Sequence, residues 1–227
     1  MRRITGWSLI WIAVAAVIII VGYMTFPRDQ DTIPDTKPDN KPVDDTVTDI
    51  DGNIYKTIKI GNQTWMAENL RTIKLNDGQP ISYKPAASDW AWTTSPAYCW
   101  ANNSTLNKVN YGALYNWYTV NTGKLAPVGW HVPTDEEWKA LSNYLGGDKI
   151  AGGKLKEIGF TVRWAGLRQS DGKFDFFGEM EKYWSATEGG WHSGDAWYRT
   201  ITKLNSEFGL SSHQKFDGHC VRCIKDK

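Results

Sequence analysis

The chain is short of most of the residues from which simple active sites are built. Of its 227 residues, four are histidine and three are cysteine. No nucleophile elbow, phosphate-binding glycine loop or paired-histidine metal motif occurs. Charge of one sign is missing too: 26 Lys and Arg face 25 Asp and Glu, a formal net of +1. Such a balance offers no broad field to gather nucleic acid or an anionic membrane surface. An odd number of cysteines allows at most one intrachain bridge.

Long apolar runs are also scarce, with one exception. Arg2 and Arg3 precede an uncharged stretch from Ile4 to Phe26, and about 20 such residues cross a bilayer as a helix. A cleavable secretory signal has a similar start, but its apolar core is about 7 to 15 residues long. Here the run is longer, no small-x-small cleavage site follows it, and no cysteine stands at its exit to take a lipid. Residues 1–26 are expected to be a retained anchor. The arginines place the N-terminus in the cytoplasm and the rest on the far side of the inner membrane. Cleavage would leave the remainder secreted. From Pro27 to Thr48 four prolines alternate with six aspartates and no aromatic residue. Residues 27–48 therefore read as an extended tether.

What the remainder does have is aromatic side chains: 13 Trp and 10 Tyr in the whole chain. Asp51-Gly52-Asn53 marks a turn, and Ile54 to Trp65, broken by Gly61-Asn62, reads as a β-hairpin. Asn110 is placed to cap a helix over Tyr111 to Val120, with Leu114, Trp117 and Tyr118 on one face. Thr134-Asp135-Glu136-Glu137 is a capping box opening a second helix, with Trp138, Leu141, Tyr144 and Leu145 as its buried stripe before Gly146-Gly147. After Gly153, short strands are expected at Tyr183–Ala186, Ala196–Ile201 and His219–Ile224. Two main helices on an irregular antiparallel sheet define an α+β domain over residues 49–227.

These segments resemble the Fibrobacter succinogenes major paralogous domain, a family of exported bacterial domains. The likeness rests on DIDGNIYKTIKIGNQTWMAENL at Asp49 to Leu70, SPAYCWANN at Ser95 to Asn103 and YGALYNWY at Tyr111 to Tyr118. It continues through GWHVPTDEEW at Gly129 to Trp138, YWSATE at Tyr183 to Glu188, AWYR at Ala196 to Arg199 and CVRCIKD at Cys220 to Asp226. The middle and end are also similar, more distantly, to the C-type-lectin-like domains of formylglycine-generating enzymes, through a Pro-Thr-x-x-x-Trp helix start and a terminal arginine-cysteine strand. The first resemblance implies an envelope or surface protein. The second implies a C-type-lectin-like fold, and activity less directly. Within the family's blocks Cys99 and Cys223 are the implied disulfide pair. Ala126 stands where many relatives carry a further cysteine, and Cys220 where they usually have a small residue.

His213, His219, Cys220 and Cys223 match no standard zinc spacing, so no metal or other cofactor is expected. Asp49-x-Asp51-Gly52-Asn53 echoes a calcium loop but has no Glu at the twelfth position, and a polar turn explains it. His131, between apolar neighbours, reads as packed and hydrogen-bonded. Aromatics in polar loops are the better functional candidates, because sugar rings and peptide side chains stack on them. Two loops qualify: Ser88 to Trp92, offering Trp90 and Trp92, and Glu188 to Asp195, offering Trp191, His192 and Asp195. The reading is a non-enzymatic, membrane-tethered binding or adhesion module with a glycan or protein ligand and no nucleic acid partner. A structural envelope component and a formylglycine-generating-like modifying enzyme are the alternatives.

Overall fold

The structure is a computed structural model and describes residues 45–227, so the expected anchor at 1–26 and most of the tether lie outside the described residues. Among the described residues no helix is long and apolar enough to cross a membrane. In chain order the domain opens with β1 (Thr46–Thr48), β2 (Ile54–Ile60), β3 (Gln63–Met66) and β4 (Ser82–Tyr83), then one helical turn, α1 (Ala87–Trp90). Next come β5 (Ala97–Trp100), α2 (Lys108–Tyr111), β6 (Ala113–Tyr115), α3 (Trp117–Val120) and β7 (Trp130–His131). Two ten-residue helices follow, α4 (Asp135–Tyr144) and α5 (Asp148–Glu157). The chain ends with β8 (Leu167–Arg168), β9 (Phe174–Asp175), β10 (Met180–Glu188), β11 (Asp195–Thr202), β12 (Phe208–Gln214) and β13 (Ile224–Lys225).

The fold is α+β with mainly antiparallel sheets. The expected hairpin is present, with Ile58 opposite Trp65, and β13 pairs with both β3 and β7, so the two ends of the domain share one sheet. Thr46–Thr48, read as the end of the tether, instead pairs with β2 and belongs to the domain. Single bridges at Gly218, His219 and Cys220, to Arg168, Tyr115 and Tyr183, insert this segment between β6 and β10 and stitch the smaller sheets together. That central position explains why Gly218, His219 and Cys220 are buried. The core is largely aromatic: Trp138 lies 4.5 Å from Trp65 and 5.8 Å from Tyr183, with Phe160 and Phe208 set edge-on to it.

Helix α4 begins where the capping box places it, with Thr134 accepting from the Glu137 amide and Glu137 reaching back to the Thr134 amide. Trp138, Leu141 and Leu145 are buried, but Tyr144 is half exposed and its ring lies over Gly61. The helix expected over Tyr111 to Val120 does not form as one piece. Gly112 takes φ +75°, where a Cβ would sit 2.6 Å from the Asn69 Cβ, and Cys99 pairs with Leu114 across β5 and β6. Asn116, not Asn110, caps the short α3 by accepting from the Thr119 amide. The second long helix is α5, which runs through Gly152 and Gly153. A Cβ on Gly152 would lie 2.2 Å from the Glu207 carbonyl oxygen, so close packing on the start of β12 requires glycine there.

Candidate functional site

The loop between β10 and β11 is tied down from beneath. Ser212 Oγ donates to Asp195 Oδ2 at 2.8 Å and accepts from the Trp191 amide at 2.8 Å, while the Asp195 amide donates to the His192 carbonyl. Gly190 presses on Ser212 so closely that a Cβ would be 2.4 Å from it. Held this way, Trp191 is 68% exposed, its ring edge-on to the half-buried Trp197 at 5.1 Å, and His192 is exposed. Asp195 is not at the surface as expected. It is buried, its carboxylate consumed in anchoring the loop.

The other candidate loop divides. Trp90 is fully buried beneath the Arg168 guanidinium, 4.8 Å from its ring, with Gly218 packed against its edge. It is a core residue, contrary to its reading as a ligand contact, because α1 turns it inward. Two residues later Trp92 adopts φ +58°, a costly conformation for a bulky residue, and its amide donates to the Ser170 carbonyl. The ring is 58% exposed and meets Phe216 edge-on at 5.4 Å; Phe216 in turn lies 5.6 Å from Tyr118.

Phe216 belongs to the turn Gln214–Asp217, closed by the Asp217 amide donating to the Gln214 carbonyl at 2.9 Å. The same turn meets the Trp191 loop: the Lys215 amide donates to the Gly194 carbonyl, and Lys215 Nζ pairs with Glu188. Both loops chosen from the sequence thus abut one turn at one end of the β10–β12 sheet. Phe216 and Tyr118 were missed. Their signal was weak, a lone aromatic between Lys215 and Asp217 and a helix-face tyrosine.

Beneath this turn lies a charged cluster. The Asp217 carboxylate is fully buried, with His213 Nδ1 2.6 Å and His219 Nε2 3.7 Å from its Oδ2. Neither contact is aligned as a hydrogen bond; charge attracts His213 to Asp217, whereas His219, whose pKa is lowered, carries charge only in acid. Burial would raise the Asp217 pKa, but the two imidazoles beside it pull it down to about 2. His213, half exposed, is held above the ordinary histidine value by Asp217. His219 is buried and stacked on Trp184 at 4.0 Å, and burial lowers its pKa to about 4.

The remaining polar candidates serve the fold. His131 is hydrogen-bonded, Nδ1 to Asp226 at 2.6 Å and Nε2 to Glu137 at 2.9 Å. The Asp49 carboxylate accepts from Asp51, Asn53 and Tyr55, and Asp51 accepts from Thr72 and the Ile73 amide, which makes the motif a polar turn. Among the described residues no cluster of three or more His, Cys, Asp or Glu is disposed to hold a metal ion. His213 and His219 face Asp217, whereas the Cys220 thiol accepts from Asn69 at 3.3 Å, in a buried network that also holds Glu181 and Arg222.

All three cysteines are buried and free, so the Cys99–Cys223 bridge implied by the resemblance is not formed. Cys99 packs in the cluster of Trp65 and Trp138, and Cys223 in that of Tyr55 and Trp184. Cys99 and Cys220 flank Leu114 on successive strands, since Cys99 pairs with Leu114 and Tyr115 bridges His219. Two strand spacings amount to about 10 Å, beyond the about 7 Å Cα limit for a disulfide. Burial pushes the Cys99 thiol up to about 12 and raises Cys220 and Cys223 as well.

The sequence profile of the Fibrobacter succinogenes major domain matches residues 58–225, most of the chain and nearly all of the described domain. The protein is a member of that family. No curated protein and no solved structure matches it.

Proposed function

We propose that this family member is a binding or adhesion module of the bacterial cell envelope, held at the outer face of the inner membrane by residues 1–26, with a glycan or protein as ligand. The observation that carries the reading is the placement of Trp92 and Trp191. Both are more than half exposed, on loops that meet the same Gln214–Asp217 turn, and both are fixed by backbone hydrogen bonds. Exposed, preorganised aromatics give contact area at low entropic cost. His192 lies beside Trp191, and Phe216 and Tyr118 extend the surface around Trp92. A C-type-lectin-like arrangement is the fold that accompanies this reading.

Binding is favoured over thiol-based modification because all three thiols are buried and their pKa values are raised, which suppresses the reactive thiolate. The test is a glycan and protein interaction screen on the full chain, repeated with Trp92→Ala and Trp191→Ala. Hits lost in both variants support the reading. Hits indifferent to both place the contact surface elsewhere.

A further inference from the structure

The opposite end of the β10–β11 pair has a different character. There Met180 pairs with Thr202, and the Lys203 amide donates to the Glu179 carbonyl at 3.0 Å. Beside this last rung lies a groove of about 520 Å³, walled by Phe176, Met180 and Leu204. Its size falls within the range of about 300 to 1,000 Å³ typical of small-molecule sites. Leu204 is 97% exposed, and Phe176 is partly exposed at φ +55°. An aromatic side chain held in the left-handed region beside an uncovered leucine is a costly way to finish a surface with no ligand.

The polar side chains of the lining are Glu179, Thr202, Lys203 and Asn205. Thr202 Oγ1 has no hydrogen-bond partner but is buried out of reach of the groove, leaving Lys203 as the one cation in the lining. Lys203 Nζ forms no ion pair among the described residues and lies 5.6 Å from the Trp164 ring, which Lys156 Nζ also approaches at 5.7 Å. Glu179, exposed at the rim, is the one carboxylate in the lining.

We infer that this groove is a second binding site, taking a small amphiphile with an aromatic or aliphatic body and a single carboxylate. The apolar body rests on Phe176, Met180 and Leu204. The carboxylate is held by the Lys203 ammonium, which has no ion-pair partner among the described residues. One ammonium suits a single carboxylate, and a phosphate would call for more donors. Glu179 opposes the ligand charge, so removing its charge strengthens binding. The site lies at the far end of the strands from Trp191 and is independent of that surface.

The test is calorimetric titration of the purified full chain with 4-phenylbutyrate and, in parallel, with its cationic counterpart 4-phenylbutylamine. The expected result is saturable 1:1 binding of the acid, weakened at least fivefold by Lys203→Met, tightened by Glu179→Gln and unchanged by Trp191→Ala. Binding of the amine should be absent over the same concentrations. No saturable binding of the acid, equal or tighter binding of the amine, or an affinity indifferent to Lys203→Met would overturn the inference. Loss of affinity in Trp191→Ala would place the ligand at the other end of the sheet and overturn it as well.

Discussion

His213 stands 2.6 Å from the buried carboxylate of Asp217, across the turn that presents Phe216 to Trp92. The pair fastens the base of the aromatic surface, and its pH dependence follows from the direction of each shift. The His213 pKa is raised, so its contribution is complete below the ordinary value of 6.5 and is lost as pH rises through the folded value. Asp217 is depressed to about 2, so its contribution is present above 3.8 and is lost as pH falls through about 2. Stabilisation by the pair is therefore fullest between these two ordinary values. Titration of the His213 ring by NMR should give a pKa above the ordinary histidine value in the wild type, falling in Asp217→Asn. His213→Ala should destabilise the domain by about 1–3 kcal/mol by leaving a buried acceptor uncompensated, toward the low end because His213 is half exposed and screened.

Trp90 and Trp92 lie two residues apart and should behave oppositely. Trp90→Ala empties a fully buried position and should cost about 3–5 kcal/mol of folding stability. Trp92→Ala and Trp191→Ala should leave the melting temperature nearly unchanged while weakening ligand contact by about 1–3 kcal/mol. Thermal melts of the three variants decide the matter: a large drop for Trp191→Ala would make that loop an anchor.

His131 lies between two carboxylates, and a carboxylate can only accept. Both contacts are satisfied together only when the ring carries both protons. Burial lowers the His131 pKa, but the bonds to Asp226 and Glu137 outweigh it and the net shift is upward. The stabilisation is complete below 6.5 and is lost as pH rises through the folded value. Protection factors at β13, taken relative to the intrinsic exchange rate at each pH, should therefore fall on moving from pH 6 toward alkaline conditions, and His131→Ala should remove that fall.

Three buried thiols with raised pKa values should react slowly. Alkylation of the folded protein at neutral pH should label none of Cys99, Cys220 and Cys223 on the timescale that labels all three in denaturant. Peptide mapping without reductant should find no linked pair. A Cys99–Cys223 peptide would contradict their packing as free thiols in separate core clusters, and a Cys99–Cys220 peptide the register that separates those two.

Local chemistry was legible in the sequence, and long-range demands were not. The α4 cap lies within four residues, so Thr134 and Glu137 announce it. Gly112 looked like part of a helical stripe because its partners, Asn69 and Leu70, are about forty positions away. Helix α5 has no clear local signature because Gly152 and Gly153 interrupt it, and Ser206 and Glu207, which press on them, are about fifty positions away. Strand β12 has little local signal because Phe208–Gln214 is glycine- and serine-rich, mostly half-buried or exposed, and without a β-branched residue. At the candidate site, Trp92 and Trp191 were legible as aromatics in polar loops. Trp90 was drawn from the same cue, but a cation-π contact with Arg168, far along the chain, claims it for the core. The convergence of both loops on Phe216 depends on strand pairing that no local pattern encodes.

The most direct test of the account is the interaction screen on the full chain, read out as the affinity of each hit for wild type, Trp92→Ala and Trp191→Ala. The account predicts at least one glycan or protein that binds the wild type and is weakened about 5- to 150-fold in both variants, the range of about 1–3 kcal/mol for contact aromatics. Ligands that bind all three proteins with equal affinity would contradict it.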